Sequence, residues 1–126
     1  MTRHVIASEY APKAIGPYSQ AIRSGAYIFV SGQVGIDPAT GAVAEGIEAQ
    51  TEQALRNVAA ILVAAGRSMA DLVKTTIWLT DPAHFATVNE IYARHVPDPA
   101  PARSAPIVAA LPRELLISIE AIAEAG

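Results

Sequence analysis

Apolar side chains recur at intervals of three and four residues between Ile47 and Ala65, and this pattern restricts the fold more than any other feature of the sequence. The spacing places these side chains on one face of an α-helix, with Gly66 as a terminating residue. We therefore predict an amphipathic helix of about five turns. Such a helix has to bury its apolar face against a second layer of structure.

Other segments have the features of β-strands. Residues 27–31 are mostly β-branched or aromatic, and the turn-forming residues at 37–41 predict that a second strand follows. Apolar and polar side chains alternate over residues 73–80, which predicts a strand with one buried face. Residues 107–108 and 115–123 are predicted to complete the strands.

A second helix is predicted after Asp81, which can cap it, and Pro82, which suits its first turn. This helix ends before Pro97, because the proline-rich residues 97–101 cannot continue it. The stiff loop then leads to Arg103. The order of strands, long helix, strand, helix and strands predicts an α+β fold, with a mixed β-sheet and two helices packed on one face.

Composition bounds the size and location of the protein. The 126 residues are 52% hydrophobic, which is enough to bury a core in a single domain spanning residues 1–126. The sequence has no cysteine, which excludes disulfides and thiolate chemistry and suits a reducing compartment. No apolar run approaches the roughly 18 residues of a membrane span, and the N-terminus lacks the pattern of a signal peptide. We therefore expect a cytoplasmic protein with no membrane partner.

The charges and motifs favour small-molecule chemistry. The formal net charge is -3 and the basic residues are scattered, so we predict no nucleic-acid partner. His4, His84 and His95 lack the spacing of metal ligands and are interpreted as surface residues, so no metal is assigned. No phosphate-binding glycine loop occurs, which leaves no cradle for a nucleotide cofactor.

Two charged residues are candidates for a functional site. The alternation near the C-terminus places Glu120 on a strand face with Leu116 and Ile122, apolar surroundings in which a buried carboxylate needs a partner. Two interpretations remain open: an exposed acid at a strand end, or an acid at an interface or active site. Arg103 is either a solvated loop residue or a rigidly aimed guanidinium that binds a carboxylate through two hydrogen bonds.

Uncharged residues complete the set of candidates. Tyr18 lies in a predicted exposed turn, which is either structural or part of a site. Ser31 and Gly32, at the predicted end of a strand, offer a hydroxyl group and an approachable backbone. The sequence has no nucleophile-elbow motif, so a serine hydrolase is not expected. Tyr92 is interpreted as a packing residue.

Several of these residues lie in sequence blocks that share a resemblance. The blocks are residues 16–21, 30–33 and 88–92, then residues 101–104 followed by residues 119–123. Together they resemble the Rid (YjgF) family of reactive-intermediate enamine/imine deaminases over nearly the whole chain. The resemblance implies a chorismate-mutase-like α+β fold and a homotrimer with its sites in the clefts between subunits.

The resemblance also implies a reaction. Water adds to a 2-imino acid, the tautomer of a 2-aminoacrylate-type enamine, and a 2-keto acid and ammonia are released without a cofactor. Arg103 would hold the substrate carboxylate, and Glu120 would position the attacking water and help move its proton. Tyr18 is the third catalytic residue that the resemblance implies, as a hydrogen-bonding group of the pocket.

Further positions match substrate-binding residues of the family, namely Ser31, Gly32, Asn89 and Ala105. Ala105 stands where the family often has cysteine. Pro106 then removes a backbone donor, so we expect a bulge or an edge position there. These departures lie beside the expected pocket and affect which imine it prefers.

Two other functions remain open at this stage. A binding module would keep the Arg103 pocket and sense a small carboxylate without hydrolysing anything. An RNA-acting protein, as some relatives of the family are described, is opposed by the acidic balance and the lack of a basic face.

Overall fold

A computed structural model describes residues 2–126. Its elements, in chain order, are β1 (Arg3–Ile6), β2 (Ala21–Ser24), β3 (Tyr27–Val34), α1 (Gly46–Ala64), β4 (Leu72–Leu79), α2 (Phe85–His95), β5 (Ala102–Ser104) and β6 (Ile117–Glu124). The strands form one sheet in the order β1-β2-β3-β6-β4-β5. All neighbouring strands are antiparallel except β4 and β5, which are parallel, so the sheet is mixed.

Both helices lie on the same face of this sheet. α1 contacts β3 and β6, and α2 packs beside α1, where its Tyr92 reaches Thr75 of β4. The predicted α+β class is therefore confirmed, and α1 begins and ends within one residue of the predicted helix. Within residues 2–126, neither helix is long and apolar enough to cross a membrane.

The core lies between the helices and the sheet, because alternate strand residues and one stripe of each helix point there. Its fully buried side chains include Ile28, Leu55, Val58, Ile61, Leu62, Ile77, Leu79, Val88, Ile117 and Ile119. One position shows how closely the two layers approach. A Cβ atom added at Gly35 would lie 2.6 Å from the Cα atom of Gln50 in α1, so only glycine fits there.

The predicted strands differ from the observed strands in three places. Residues 107–108 make only an isolated bridge between Ile107 and Leu79, and β5 lies earlier in the chain. The segment after the turn at 37–41 likewise forms only a bridge, between Val43 and Ile36. β1 and β2 were not predicted, because they are four residues long and carry exposed Arg and His side chains that mask any alternation.

Among residues 2–126, no helix covers the opposite side of the sheet, which we call the open face. Its side chains include Tyr27, Phe29, Thr76, Trp78, Ser118, Glu120 and Ile122. Val5, Ile22, Phe29 and Ile122 are in register across four strands and form an apolar row on this face. Val5 is 69% exposed and Phe29 is 46% exposed, so this row has no cover within the described part of the chain.

Candidate functional site

Arg103 lies in the edge strand β5, and its side chain extends onto α2. Its Nη1 atom donates a hydrogen bond of 2.7 Å to Oδ1 of Asn89. The guanidinium carbon also lies 5.1 Å from the ring centre of Tyr92 and 5.6 Å from that of Phe85. The structure thus brings together two of the predicted site residues, Arg103 and Asn89, on the helix side of the sheet.

A second group surrounds the turn that carries Tyr18. The hydroxyl group of Ser31 donates a hydrogen bond of 2.6 Å to the carbonyl of Ser19, and the backbone N–H of Ser31 donates to the carbonyl of Gln20. The register between β3 and β6 shifts between Val30 and Gln33, which releases Ser31 from the regular ladder for this role. These two hydrogen bonds of Ser31 therefore connect the turn that contains Tyr18 to β3.

Tyr18 and Gly32 line a cavity of about 450 Å³. Lys13, Asp37 and Arg113 are among the other lining residues. A Cβ atom at Gly32 would lie 2.7 Å from the hydroxyl oxygen of Ser118, so a larger residue there would displace that neighbour. The cavity is a second place where predicted site residues meet, separate from the Arg103 group.

Sequence reasoning missed three buried carboxamides that hold this region together. Gln20 accepts a hydrogen bond from the N–H of Ser8 and donates to the carbonyls of Ser8, Ala11 and Pro12. Gln20 is 6% exposed. Because its amide replaces the missing ladder bonds of residues 8–12, it fixes the loop that forms one wall of the cavity.

The other two carboxamides are in α1 and act on the segments around β3. Asn57 donates to the carbonyls of Val34 and Ile36, and Gln50 donates to Ala44 while accepting from the N–H of Leu116. Polar side chains on the buried stripe of a helix interrupt its apolar pattern. That interruption was the only signal in the sequence, and it does not identify the partners.

Glu120 lies on the open face of β6 and is exposed. Lys74, Thr76 and Phe29 join it around a small cavity of about 220 Å³. Lys74 donates a hydrogen bond of 3.0 Å to the hydroxyl oxygen of Ser104, which follows Arg103 in β5. Within residues 2–126 no hydrogen bond reaches the Glu120 carboxylate, and Glu120 lies inside β6 rather than at its end.

The register of β4 separates the two predicted catalytic charges. Thr75 pairs with Arg103, and Thr76 pairs with Glu120. Adjacent residues of a strand point to opposite faces, so Arg103 is on the helix side and Glu120 is on the open face. β5 and β3 are three strand spacings apart, about 14 Å. One chain therefore does not place Arg103 and the Tyr18 cavity around one small molecule.

The remaining predicted positions lie near Arg103. Ala105 is partly buried and packs against the core, and Pro106 follows the edge strand β5, in line with the expected edge position. Of the three histidines interpreted as surface residues, His4 is exposed, whereas His84 and His95 are partly buried. His95 makes a contact between the two helices. Its Nε2 atom lies 2.8 Å from a carboxylate oxygen of Glu52, an attraction between helices that sequence spacing cannot reveal. In residues 2–126 no three His, Asp or Glu side chains are grouped to hold a metal ion.

The chain is similar to known proteins in both sequence and structure. A family model described as Endoribonuclease L-PSP matches residues 8–125. A Mus musculus protein named 2-iminobutanoate/2-iminopropanoate deaminase is 50% identical, over 98% of this chain and 93% of its own. A Salmonella typhimurium protein of the same name is 50% identical over 94% of each chain. The crystal structure of E. coli TdcF with bound serine is 41% identical, with a TM-score of 0.91 over 96% of this chain and 98% of that chain.

Proposed function

The chain belongs to the Rid (YjgF) family, and we propose on this basis that it is an enzyme that hydrolyses reactive 2-imino acids. Water adds to the C=N carbon, a proton moves to nitrogen, and the C–N bond then breaks. The products are a 2-keto acid and ammonia, so atoms and charge balance with water as the only co-reactant. The names of the mouse and Salmonella relatives support this reaction class.

The observation that carries the proposal is the state of Arg103. Its guanidinium is exposed and makes no ion pair with any Asp or Glu among residues 2–126. Asn89 accepts a hydrogen bond from only one of the five guanidinium N–H groups. The other coplanar N–H groups can donate two parallel hydrogen bonds to a carboxylate. Every 2-imino acid carries a carboxylate next to the reacting carbon, so this contact would place that carbon at a fixed position.

The proposed roles of the other residues follow from their chemistry. Glu120 would hold the attacking water and accept its proton, because a carboxylate on the open face becomes partly desolvated once that face is covered. The Tyr18 hydroxyl group would hydrogen-bond the substrate. Gly32, Ser31, Asn89 and Ala105 would shape the pocket around it.

We further propose a homotrimer in which neighbouring subunits complete each site. Two observations support this arrangement. The apolar row on the open face needs a cover, and the Arg103 group is too far from the Tyr18 cavity in one chain for both to contact one substrate. A partner copy that packs on the open face and extends past the edge strand β5 would bring its own cavity to Arg103.

Imine capture tests the reaction directly. An amino-acid oxidase generates the 2-imino acid, semicarbazide traps it, and hydrolysis by the protein lowers semicarbazone formation. We expect Arg103→Ala to abolish the effect and Arg103→Lys to reduce it by about one to two orders of magnitude, because lysine loses one of two parallel hydrogen bonds. Glu120→Gln should slow turnover while preserving 2-keto acid binding, because the amide keeps the shape but accepts no proton.

Two outcomes of these assays would contradict the proposal. Unchanged semicarbazone formation together with saturable 2-keto acid binding would assign the protein to carboxylate binding without catalysis. Full activity of Arg103→Ala would move the site elsewhere on the chain.

Because the net charge is -3, we also expect that the protein retains no RNA at any salt concentration. We further expect it to act in the reducing cytoplasm, which the absence of cysteine suits.

A further inference from the structure

Arg103 is oriented by uncharged partners. Phe85 and Tyr92 are seven positions apart, which is about two turns on one face of α2, and both present ring faces to its guanidinium. Aromatic rings attract a cation through their negative faces without neutralising its charge. An acidic partner would hold the same arginine but would compete with a carboxylate ligand.

The Tyr92 ring is itself held in place. Its hydroxyl group is 2.6 Å from that of Thr75, and Tyr92 and Thr75 are 6% and 2% exposed. Thr75 is also the ladder partner of Arg103 in β4. One buried residue therefore supports both the backbone that carries the guanidinium and the ring against which it packs.

Phe85 differs from Tyr92 because it is 40% exposed. It contributes little to the core, so its closeness to Arg103 is not a by-product of core packing. Its position at the start of α2 follows the turn capped by Asp81, whose side chain accepts a hydrogen bond from the N–H of Ala83. The exposed ring is thus presented to Arg103 by an ordered helix start.

We propose that Phe85 and Tyr92 form an aromatic clamp, a pair of positioning residues that keeps the free edge of the Arg103 guanidinium aimed at the substrate carboxylate. The inference rests on the proposed role of Arg103. The clamp restricts the rotamers of a long side chain before the ligand arrives, so less conformational entropy is lost on binding. It acts on affinity for the carboxylate and leaves the chemical step to other groups.

Phe85 allows a test that leaves the fold intact. Calorimetry with 2-oxobutanoate, a 2-keto acid of the proposed product class, measures the dissociation constant for the parent, Phe85→Leu and Phe85→Tyr. We expect Phe85→Leu to raise the dissociation constant about two- to fivefold, which corresponds to the free energy of one exposed cation–π contact. Phe85→Tyr keeps the ring and should remain within about twofold of the parent. Turnover at saturating imine should be unchanged in both variants, because the ring contributes equally to binding of the substrate and of the transition state.

The same measurement in the Arg103→Lys variant distinguishes the clamp from ordinary packing of Phe85. In Arg103→Lys, the compact and strongly hydrated ammonium gains less from the ring, so adding Phe85→Leu should change the dissociation constant by less than about twofold. The clamp would be wrong if Phe85→Leu raised the dissociation constant by the same factor with arginine and with lysine at position 103. It would also be wrong if Phe85→Leu left the affinity unchanged while Arg103→Ala abolished binding. If Arg103→Ala binds 2-oxobutanoate as the parent does, the proposed anchor itself is wrong.

Discussion

The two faces of the sheet differ in what one chain completes. On the helix side, Ile117 and Ile119 are fully buried, and polar Thr75 has a hydrogen-bond partner in Tyr92. On the open face, Phe29 is 46% exposed, and no hydrogen bond to the side chains of Thr76 or Glu120 forms within residues 2–126. The helix side therefore carries the buried core of the subunit, whereas side chains on the open face have no such partners among the described residues.

The largest expected effect comes from placing a charge on the helix side. Ile119→Asp removes a side chain whose truncation alone costs about 2–5 kcal/mol, and it adds the desolvation of a carboxylate with no partner. Because domains of this size are stable by only about 5–15 kcal/mol, we expect no cooperative unfolding transition in urea and little regular secondary structure by circular dichroism. A variant that unfolds at the parental midpoint would contradict the division between the faces.

The same substitution on the open face should act on assembly instead. Phe29→Asp puts a carboxylate in the middle of the apolar row, where it opposes the covering of that face but is solvated in the separate subunit. We expect the circular dichroism of the parent, a mass near the 13.2 kDa of one chain by light scattering, and imine hydrolysis reduced by more than about tenfold.

Two results would contradict this expectation for the open face. A monomeric Phe29→Asp protein with parental activity would show that one chain suffices for the site. A parental protein that is itself monomeric at micromolar concentration would remove the trimer, while leaving the Arg103 experiments to decide the reaction.

An intermediate effect is expected at Gln20, which stabilises the loop of residues 8–12 rather than either face. Gln20→Leu keeps the size of the side chain but removes its four hydrogen bonds, and one buried unsatisfied group costs about 1–3 kcal/mol. We expect a loss of that order in urea unfolding, and weaker 2-oxobutanoate binding because the cavity wall loosens. Gln53→Leu, which removes one bond to Asn57 on α1, is the control and should leave that affinity unchanged.

The smallest effect is expected at Asp71, which lies before β4 and outside both faces. The backbone N–H of Ser68 and, after it, the nearby Arg67 lower the pKa of Asp71 below its usual value. A lowered folded-state pKa means that ionised Asp71 stabilises the fold above the unfolded value of about 3.9, and that this contribution is lost as the pH falls through the folded-state pKa. Asp71→Asn should therefore lower the urea midpoint slightly at about pH 7 and match the parent at about pH 2. An equal deficit at both pH values would contradict the assigned cause.

Much of this architecture could be predicted because it is encoded by neighbouring residues. The stripe of α1 and the alternation of β6 are local patterns, and the structure confirms them. The roles of Gln20, Gln50 and Asn57 could not be predicted in this way. Their partners are distant in sequence or lie in segments without a period, and a polar residue on an apolar stripe does not indicate which carbonyl it meets.

Local sequence patterns were enough to assign both helices, the strands β3, β4 and β6 with their apolar faces, and the family blocks that contain Arg103, Glu120 and Tyr18. Strand pairing and packing in the folded chain place Arg103 and Glu120 on opposite sides of the sheet, and they place the Arg103 guanidinium against Phe85 and Tyr92. The physical reason is that alternation assigns residues to faces within one strand. Which faces of two strands coincide depends on their pairing register, and here the register places Arg103 beside Thr75 and Glu120 beside Thr76.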